Sequence, residues 1–552
     1  MSDISEKIVA AVTLTVRNVY KIEPEEKTVM VERPRDPKMG DYSTNIAMRL
    51  AKTLHKKPAE IAEELVPELR KSLPEASSVS VAGPGFINFT MSEASLSNII
   101  NAIIESGDDY GRNETGKKEK VLVEYVSANP TGDLHCGHAR GAAWGDAVCR
   151  LLKASGYDVL REYYVNDAGN QIEMLAQSLI ARYNEYFGRP FTLPEDGYHA
   201  EDVKQIAIDI AAQDGDKWLD ADEQERLAYF REQGIKRELA KIEKDLALYR
   251  VGFDSWIHER FFYENNSQRI QDVLDKLTER GLTYEKDDAL WFRSSQFGDD
   301  KDRVLKKSSG LLTYLTPDIA NHVYKLERGY TKLVDLWGAD HHSYVVRMNC
   351  ALEALGYPKG SLEVDLIQMV RMVENGEEVK MSKRTGNAIT LRELCEDVGV
   401  DAARWFFVSK EVGTHMDFDM NLAREKTNDN PVYYVQYAYT RMYNILHKEG
   451  TPEFTKETAY PLLTDKKEMN LLKQISEFPK TVADAAKTRQ PNRICGFCQQ
   501  LARDFHSYYN SCRVSDPENP ELTNQRLGLV YACMITMKNA LNLIGVSAPE
   551  KM

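Results

Sequence analysis

The stretch from Val121 to Arg140, VLVEYVSANPTGDLHCGHAR, constrains this chain more than any other. It opens as a short, β-branched apolar run, Val121 to Val126, with Glu124 inside it, and breaks at Asn129, Pro130 and Gly132. Such a run followed by turn residues reads as a buried strand that ends in a loop. After His135, Cys136, Gly137 and His138, a helical pattern runs through Ala142, Ala143, Ala147 and Leu151. Two histidines three residues apart therefore sit where a strand hands over to a helix, and at that spacing they share a face. A helix N-terminus offers unpaired N–H groups and the positive end of its dipole, both suited to phosphate. Gly137 lets a ligand approach the backbone closely. By itself an H-x-x-H pair is more often two structural histidines or a metal site, so a second observation has to decide.

The βα rhythm continues downstream. Gly156 closes the first helix, Tyr157 to Tyr164 reads as a strand, and Asn166-Asp167-Ala168-Gly169-Asn170 opens a helix from Gln171 to Tyr183. Strand, helix, strand and helix in succession argue for a parallel, doubly wound sheet, an α/β fold of the Rossmann-like kind. Residues 189 to 222, with Pro190, Pro194, Gly197 and a cluster of acids, interrupt it. Glu223 to Leu248 then reads as a long charged amphipathic helix, and Ile270 to Arg280 as another. The α/β pattern returns with Trp291-Phe292, Leu311 to Leu315, and Leu333 to Leu336, the last ending in Trp337-Gly338-Ala339-Asp340-His341-His342. Leu362 to Val373 alternates toward a further strand.

With 552 residues the chain is too long for one core. Residues 1–110 read as an N-terminal α+β module: helices over Ile4 to Tyr20, Ile46 to Leu54 and Pro58 to Leu69, a strand over Lys27 to Val31, and a hairpin around Gly83-Pro84-Gly85. Phe86 and Asn88, two apart on its second strand, face one side; a core Phe and a turn Asn explain them equally well. Residues 111–400 form the α/β unit, with an insertion around 189–290. From Val400 onward, residues 401–552 read as an all-helical bundle, with Tyr433, Tyr434, Tyr437, Tyr439 and Tyr443 on one helix. No apolar stretch of about 18 residues exists to span a membrane. No export signal opens the chain. Eight cysteines without framework spacing point to a reduced, cytoplasmic protein. The net charge of −14 means that any nucleic acid must bind through local basic patches, with Lys117 to Lys120, Lys301 to Lys307 and Lys487 to Arg493 as candidates.

The deciding second stretch is Lys380-Met381-Ser382-Lys383, followed by Arg384-Thr385-Gly386-Asn387. A lysine-rich tetrapeptide alone is usually a solvated loop. Paired in this order with the strand–H-x-G-H–helix junction, it resembles the two signatures of class I aminoacyl-tRNA synthetases. More closely, Val123 to Gly132 (VEYVSANPTG), Leu312 to Ala320 (LTYLTPDIA), Asp401 to Phe406 (DAARWF) and the closing Ala548 to Met552 (APEKM) resemble the arginyl-tRNA synthetase family over nearly the whole chain.

The resemblance implies a ligase that activates arginine with ATP to arginyl-adenylate and transfers it to the terminal adenosine of tRNA(Arg). His135 and His138 would donate to phosphate oxygens, with Gly137, Asp340, His342, Met381, Ser382 and Lys383 around ATP. Lys380 and Lys383 would neutralise the departing pyrophosphate, and Mg2+ would accompany ATP. A pocket for a planar, permanently charged guanidinium needs carboxylates in fork geometry. Asp318 is the first candidate, with Tyr314 and Glu124 beside it, while Ser127 and Asn129 would hold the amino acid's two ends. Such a site rejects uncharged analogues strongly, so no editing domain is expected. Gly83, Phe86 and Asn88 match the segment that holds a D-loop nucleotide. Tyr433, Tyr437 and Met552 match the region that meets the anticodon. A monomer without an obligate protein partner follows from the resemblance alone.

Two departures stand out. Many arginyl enzymes carry a lysine just before the first signature and a degenerate second one. Here Gly132 and Asp133 occupy that place, and Lys383 completes the second signature. Cys136 replaces the commoner apolar residue. Cys495, Cys498, His506 and Cys512 resemble a zinc set, but they lie in what reads as continuous helix, so no zinc is expected. Two rivals remain. A cysteinyl or glutamyl synthetase is one, although no zinc ligands for the former are evident. A catalytically dead, tRNA-binding relative is the other, although such a module has no need of both histidines and both lysines.

Overall fold

The computed structural model describes residues 4–25, 28–32, 34, 36–92, 96–379 and 388–552. At its centre lies a five-stranded sheet ordered Leu362–Ile367, Lys332–Gly338, Lys120–Glu124, Asp158–Val165, Ser255–His258. Every neighbouring pair is parallel. The strand that opens the sequence argument is thus the middle strand, and Val121, Leu122 and Val123 are buried, as a strand covered on both faces requires. The chain first builds outward on one side of it, then returns to build on the other. The reversal falls between Lys120–Glu124 and Lys332–Gly338, and ligands of doubly wound sheets bind at the carboxyl ends of such a pair.

Helix Cys136–Ala154 follows the middle strand and packs on the sheet. Gly145 permits the close approach, since a Cβ there would run into the Tyr125 ring. Between strand and helix the backbone takes two left-handed steps, Val126 at φ 68° and Ser127 at φ 39°. A β-branched residue there is strained and persists only where its surroundings over-determine it, as they do at functional sites.

Around this core sit four further pieces. The N-terminal module is a four-stranded antiparallel sheet with helices Ile4–Tyr20, Ile46–Leu54 and Pro58–Ser72, including the expected hairpin Ala76–Ala82/Phe86–Met91. Its first strand is Val31–Glu32, later than the expected Lys27 to Val31, of which residue 27 lies outside the described residues. The interrupting segment carries helix Glu201–Asp214, packed with Asn170–Tyr186 and Glu223–Leu248 around a core of its own. A separate antiparallel sheet holds Thr283–Lys286, Ala289–Phe292 and Arg303–Lys306, so Trp291-Phe292 lies outside the central sheet. Leu311 to Leu315 is not a strand: only Leu312 forms a bridge, to Lys306, and helix Leu315–Glu327 begins at once.

Leu362 to Val373 is two strands. The second, Val370–Glu374, leaves the central sheet and pairs in parallel with Met416–Asp419. That last strand corrects the expectation of a purely helical chain beyond Val400. Its alternation of Asp417 and Asp419 with buried Met416 and Phe418 is strand-like, but four residues are too short to stand out among helices. The bundle is otherwise helical, through Pro431–His447, Asn492–Tyr509 and Pro520–Leu543.

One buried guanidinium joins the histidine helix to the end of helix Glu223–Leu248 and to the bundle. Arg404, fully buried, donates to Asp146 Oδ2 on helix Cys136–Ala154 at 2.5 Å. It also donates to the carbonyls of Tyr249 at 2.9 Å and Ile544 at 3.1 Å. Gly545, at φ 68°, leaves the space that Arg404 fills.

Candidate active site

The two histidines cap their helix reciprocally. His135 is the N-cap, and its Nδ1 accepts from the Gly137 N–H at 3.1 Å; His138 Nδ1 accepts from the His135 N–H at 3.2 Å. The rings stack with centroids 3.8 Å apart. An Nδ1 that accepts must be unprotonated, so each neutral ring carries its proton on Nε2 and is left as an outward hydrogen-bond donor. Burial, helped by the neighbouring His135, pulls His138 down to about 4, and burial also lowers His135. The pair works as two neutral donors at a helix N-terminus, not as cations.

Directly behind them runs the segment that follows the second signature. Cys136 N–H donates to Ile389 O at 3.0 Å, Leu391 N–H to Leu134 O at 2.6 Å, and His135 bridges Thr390. Thr390 in turn caps helix Leu391–Val398. Lys380, Met381, Ser382 and Lys383 lie outside the described residues. Both flanks are held: Val379 N–H donates to Met372 O at 2.8 Å, and Ile389 to Leu391 pairs with the first signature.

Past the carboxyl ends of strands Asp158–Val165 and Ser255–His258 lies a cluster of acids. Asp318 stands in the first turn of helix Leu315–Glu327, and its Oδ2 accepts the Tyr344 hydroxyl. Burial raises its pKa against the opposing effect of that hydrogen bond, with Asp335 pushing it further up. Glu259, on the short turn after strand Ser255–His258, is pushed up to about 7 by burial, by Asp318 and by Asp167. Among the described residues neither Asp318 nor Glu259 has a Lys or Arg within ion-pair distance, whereas Asp167 is met by Arg260 at 3.0 Å and His258 at 2.7 Å. Two carboxylates that raise one another, with no Lys or Arg paired to either among the described residues, make a site suited to a cation.

Glu124, expected beside the arginine, has protein partners for both its oxygens. It is buried, its Oε2 accepts from Lys325 Nζ at 2.5 Å, and its Oε1 accepts from the Ser127 hydroxyl at 3.0 Å. Lys325, 0% exposed, also reaches Asp335 at 3.3 Å, and Asp335 holds His322 Nε2 at 2.8 Å. Glu124 therefore anchors Ser127 in its left-handed step, and Ser127 Oγ accepts the Tyr164 N–H at 3.0 Å. Asn129 donates to Gln171 Oε1 at 2.6 Å. Tyr314 is 85% exposed and precedes the helix, so only its carbonyl meets Asp318, through the amide at 3.3 Å. Asp340, His341 and His342 stand exposed just past the end of Lys332–Gly338, at the sheet reversal. Glu259, Lys325 and Tyr344 were not singled out from sequence. A signal existed for Glu259 alone, as an acid just past the end of a sheet strand.

Away from the sheet, Gly83, Phe86 and Asn88 line one cavity of about 460 Å3 with Met30 and Met39. Phe86 is exposed and Asn88 buried. Tyr433 and Tyr437 lie nearly parallel, 6.4 Å apart. The end of the chain is drawn along their helix by Gln436 to Ser547 at 3.0 Å and Thr440 to Pro549 O at 2.7 Å, which leaves Met552 exposed. Cys495 and Cys498 are buried inside helix Asn492–Tyr509, where burial raises both thiols.

A parallel sheet with paired donor histidines at the exit of its middle strand, and an acidic cluster past the ends of its neighbouring strands, defines a class I tRNA synthetase. The model of the class I (R) tRNA synthetase catalytic domain matches residues 99–421. The arginyl-tRNA synthetase N-terminal domain matches residues 2–91, and the DALR anticodon-binding domain residues 435–552. Arginine–tRNA ligase 1 of Halalkalibacterium halodurans is 50% identical over 549 residues, covering 99% of this chain and 98% of that protein. The Bacillus subtilis arginine–tRNA ligase is 51% identical over 527 residues, covering 95% and 94%. The structure of Thermus thermophilus arginyl-tRNA synthetase superposes over 100% of both chains with a TM-score of 0.77 at 22% identity, which bears on the fold. The chain belongs to the arginyl-tRNA synthetase family.

Proposed function

We propose that this chain activates arginine with ATP and transfers it to the 3′-terminal adenosine of tRNA(Arg). The observation that carries the choice of amino acid is the pair Asp318 and Glu259, two carboxylates with raised pKa and, among the described residues, no Lys or Arg within ion-pair distance. A guanidinium, always charged and able to donate to both, completes them. In the first step the arginine carboxylate attacks the α-phosphorus of ATP. The bond from that phosphorus to the bridging oxygen breaks, and pyrophosphate leaves with the electron pair. His135 and His138 donate from Nε2 to phosphate oxygens, and Gly137 between them lets the phosphates approach the backbone. Lys380 and Lys383 take up charge on the departing pyrophosphate, with Met381 and Ser382 beside them. Asp340 and His342 flank ATP at the strand reversal. Such chemistry rests on positioning and on preorganised charge. Mg2+ comes with the ATP phosphates, and among the described residues no group of three or more His, Cys, Asp or Glu side chains is placed to cage an ion.

Ser127 and Asn129 hold the arginine backbone ends, Glu124 acts through Ser127, and Tyr314 closes over the side chain. In the second step the adenosine hydroxyl attacks the adenylate carbonyl and AMP leaves. Gly83, Phe86 and Asn88 hold a tRNA base, where stacking on Phe86 contributes roughly 1–3 kcal/mol. Tyr433, Tyr437 and Met552 meet the anticodon. The functional units are residues 1–110, 111–400 and 401–552. The protein acts in the cytoplasm as a monomer without an obligate protein partner. Among the described residues no helix is long and apolar enough to cross a membrane.

The test is arginine-dependent exchange of pyrophosphate into ATP, run with and without tRNA(Arg). Exchange with arginine is expected once tRNA is present. None under either condition, with folded protein, overturns the reading.

Arginine uptake should also release a proton near neutrality. Glu259 sits at about 7 in the empty pocket and must be ionised opposite a guanidinium. Affinity therefore rises with pH up to about 7 and levels off above it. Well below that pH it falls by up to about tenfold per unit. Titration calorimetry at pH 7 in buffers of different ionisation enthalpy checks this, and a heat that is the same in all of them counts against it.

A further inference from the structure

Tyr344 belongs to helix His342–Ala354, which follows the strand at the sheet reversal. Its ring packs against Trp337, centroids 5.8 Å apart, and lies 6.4 Å from His341. Trp337 also meets His322 edge-on at 6.2 Å, and His322 Nδ1 bonds the Asp318 carbonyl at 2.7 Å. The tyrosine ring is thus wedged on a support that also holds the backbone of Asp318, and its hydroxyl donates to Asp318 Oδ2. Among the described residues no other donor to the Asp318 carboxylate is found.

A carboxylate on a single Cβ turns freely about its last bond unless something holds it, and the turn matters for what it binds. A guanidinium donates two parallel N–H bonds in one plane, so it gains most from a carboxylate already lying in that plane. An ammonium is a point charge with rotatable donors and is indifferent to the plane. We propose that Tyr344 is a positioning residue that fixes the plane of the Asp318 carboxylate, and so favours arginine over amino acids that end in an ammonium. The inference rests on the assignment of Asp318 to the guanidinium.

The experiment compares Tyr344→Phe and Asp318→Asn with the parent in pyrophosphate exchange, in the full chain with tRNA(Arg). KM for arginine, KM for ATP and kcat are measured, with lysine as a competitive inhibitor. The phenyl ring keeps its seat against Trp337, so folding is not at stake. In Tyr344→Phe the arginine KM should rise about tenfold, as expected on losing a hydrogen bond to a charged group. ATP KM and kcat should stay within about twofold, and the lysine inhibition constant should change far less than the arginine KM, so the preference for arginine narrows. An unchanged arginine KM in Tyr344→Phe, with binding lost in Asp318→Asn, overturns the role of Tyr344 and leaves the pocket assignment standing. Equal weakening of arginine and lysine overturns it too, since fixing a plane does not act on a point charge. Parental arginine KM in Asp318→Asn removes the guanidinium assignment itself, and the role of Tyr344 with it.

Discussion

Asp318→Asn should lower kcat/KM for arginine by about three orders of magnitude, the scale on which truncating one partner of a desolvated, hydrogen-bonded charge pair weakens binding. The amide keeps the shape and can still accept from Tyr344, but it turns a donor toward a guanidinium that has only donors. ATP binding should not move, because the phosphate donors His135 and His138 sit on a separate element, at the start of helix Cys136–Ala154. Stability should move the opposite way from activity. Burial, with Asp335 beside it, raises Asp318, so its charge is disfavoured in the folded protein. Removing that charge also relieves Glu259. The melting temperature of the empty protein is expected to hold or rise, the usual cost of function in a site built for a missing partner. A fall of several degrees together with retained arginine affinity would make Asp318 a structural residue.

His138→Ala should lower the rate of arginine activation by roughly 10²–10³, the cost of removing one preorganised donor from a developing charge. The reciprocal cap is lost at the same time. Capping interactions contribute about 0.5–2 kcal/mol, so a modest drop in melting temperature accompanies a large loss of rate. The tautomer makes the prediction more specific. His138 Nδ1 is taken up by the His135 N–H, and Nε2 alone faces outward as donor. Glutamine sets its amide nitrogen near the place of Nε2, and asparagine near that of Nδ1. His138→Gln should therefore keep more activity than His138→Asn. With His138 lowered to about 4, the parent should show no titration of this residue between pH 6 and 9. Equal activity of the two amides, or a rate limb near pH 6.5 that vanishes in His138→Ala, would mean that the ring acts as a cation.

What the sequence made legible was local. The middle strand, the break at Asn129 to Gly132 and the histidine helix each declare themselves within a few residues, and the long charged helix Glu223–Leu248 does so by its period. What stayed hidden depends on partners far along the chain. Lys325 sits between tyrosine and leucine in a segment that looks like an ordinary helix face. Only the pairing of strand Lys332–Gly338 with Lys120–Glu124 encloses it between Glu124 and Asp335. Glu259 follows an insertion of several helices, and only the sheet order brings it to Asp318. The strand Met416–Asp419 forms because Val370–Glu374 offers it an edge, which no local pattern foretells. The placement of the Tyr314 ring was not legible either. Four residues before Asp318 suggests a shared helix face, but the helix begins at Leu315, and the ring is left in solvent.

The guanidinium of Arg404 has a consequence for biosynthesis. Its three partners, Asp146, Tyr249 and Ile544, come from widely separated parts of the chain, and the last emerges from the ribosome long after the first. Domains generally fold as they are made, N-terminal first. Here the helix that carries both histidines has its middle seated by a residue whose own cradle is finished only when Ile544 and Gly545 arrive. A nascent chain halted before that point holds a buried cation short of an acceptor and an open flank on the helix. The histidine helix thus gains its last tertiary anchor only once Ile544 and Gly545 have been made.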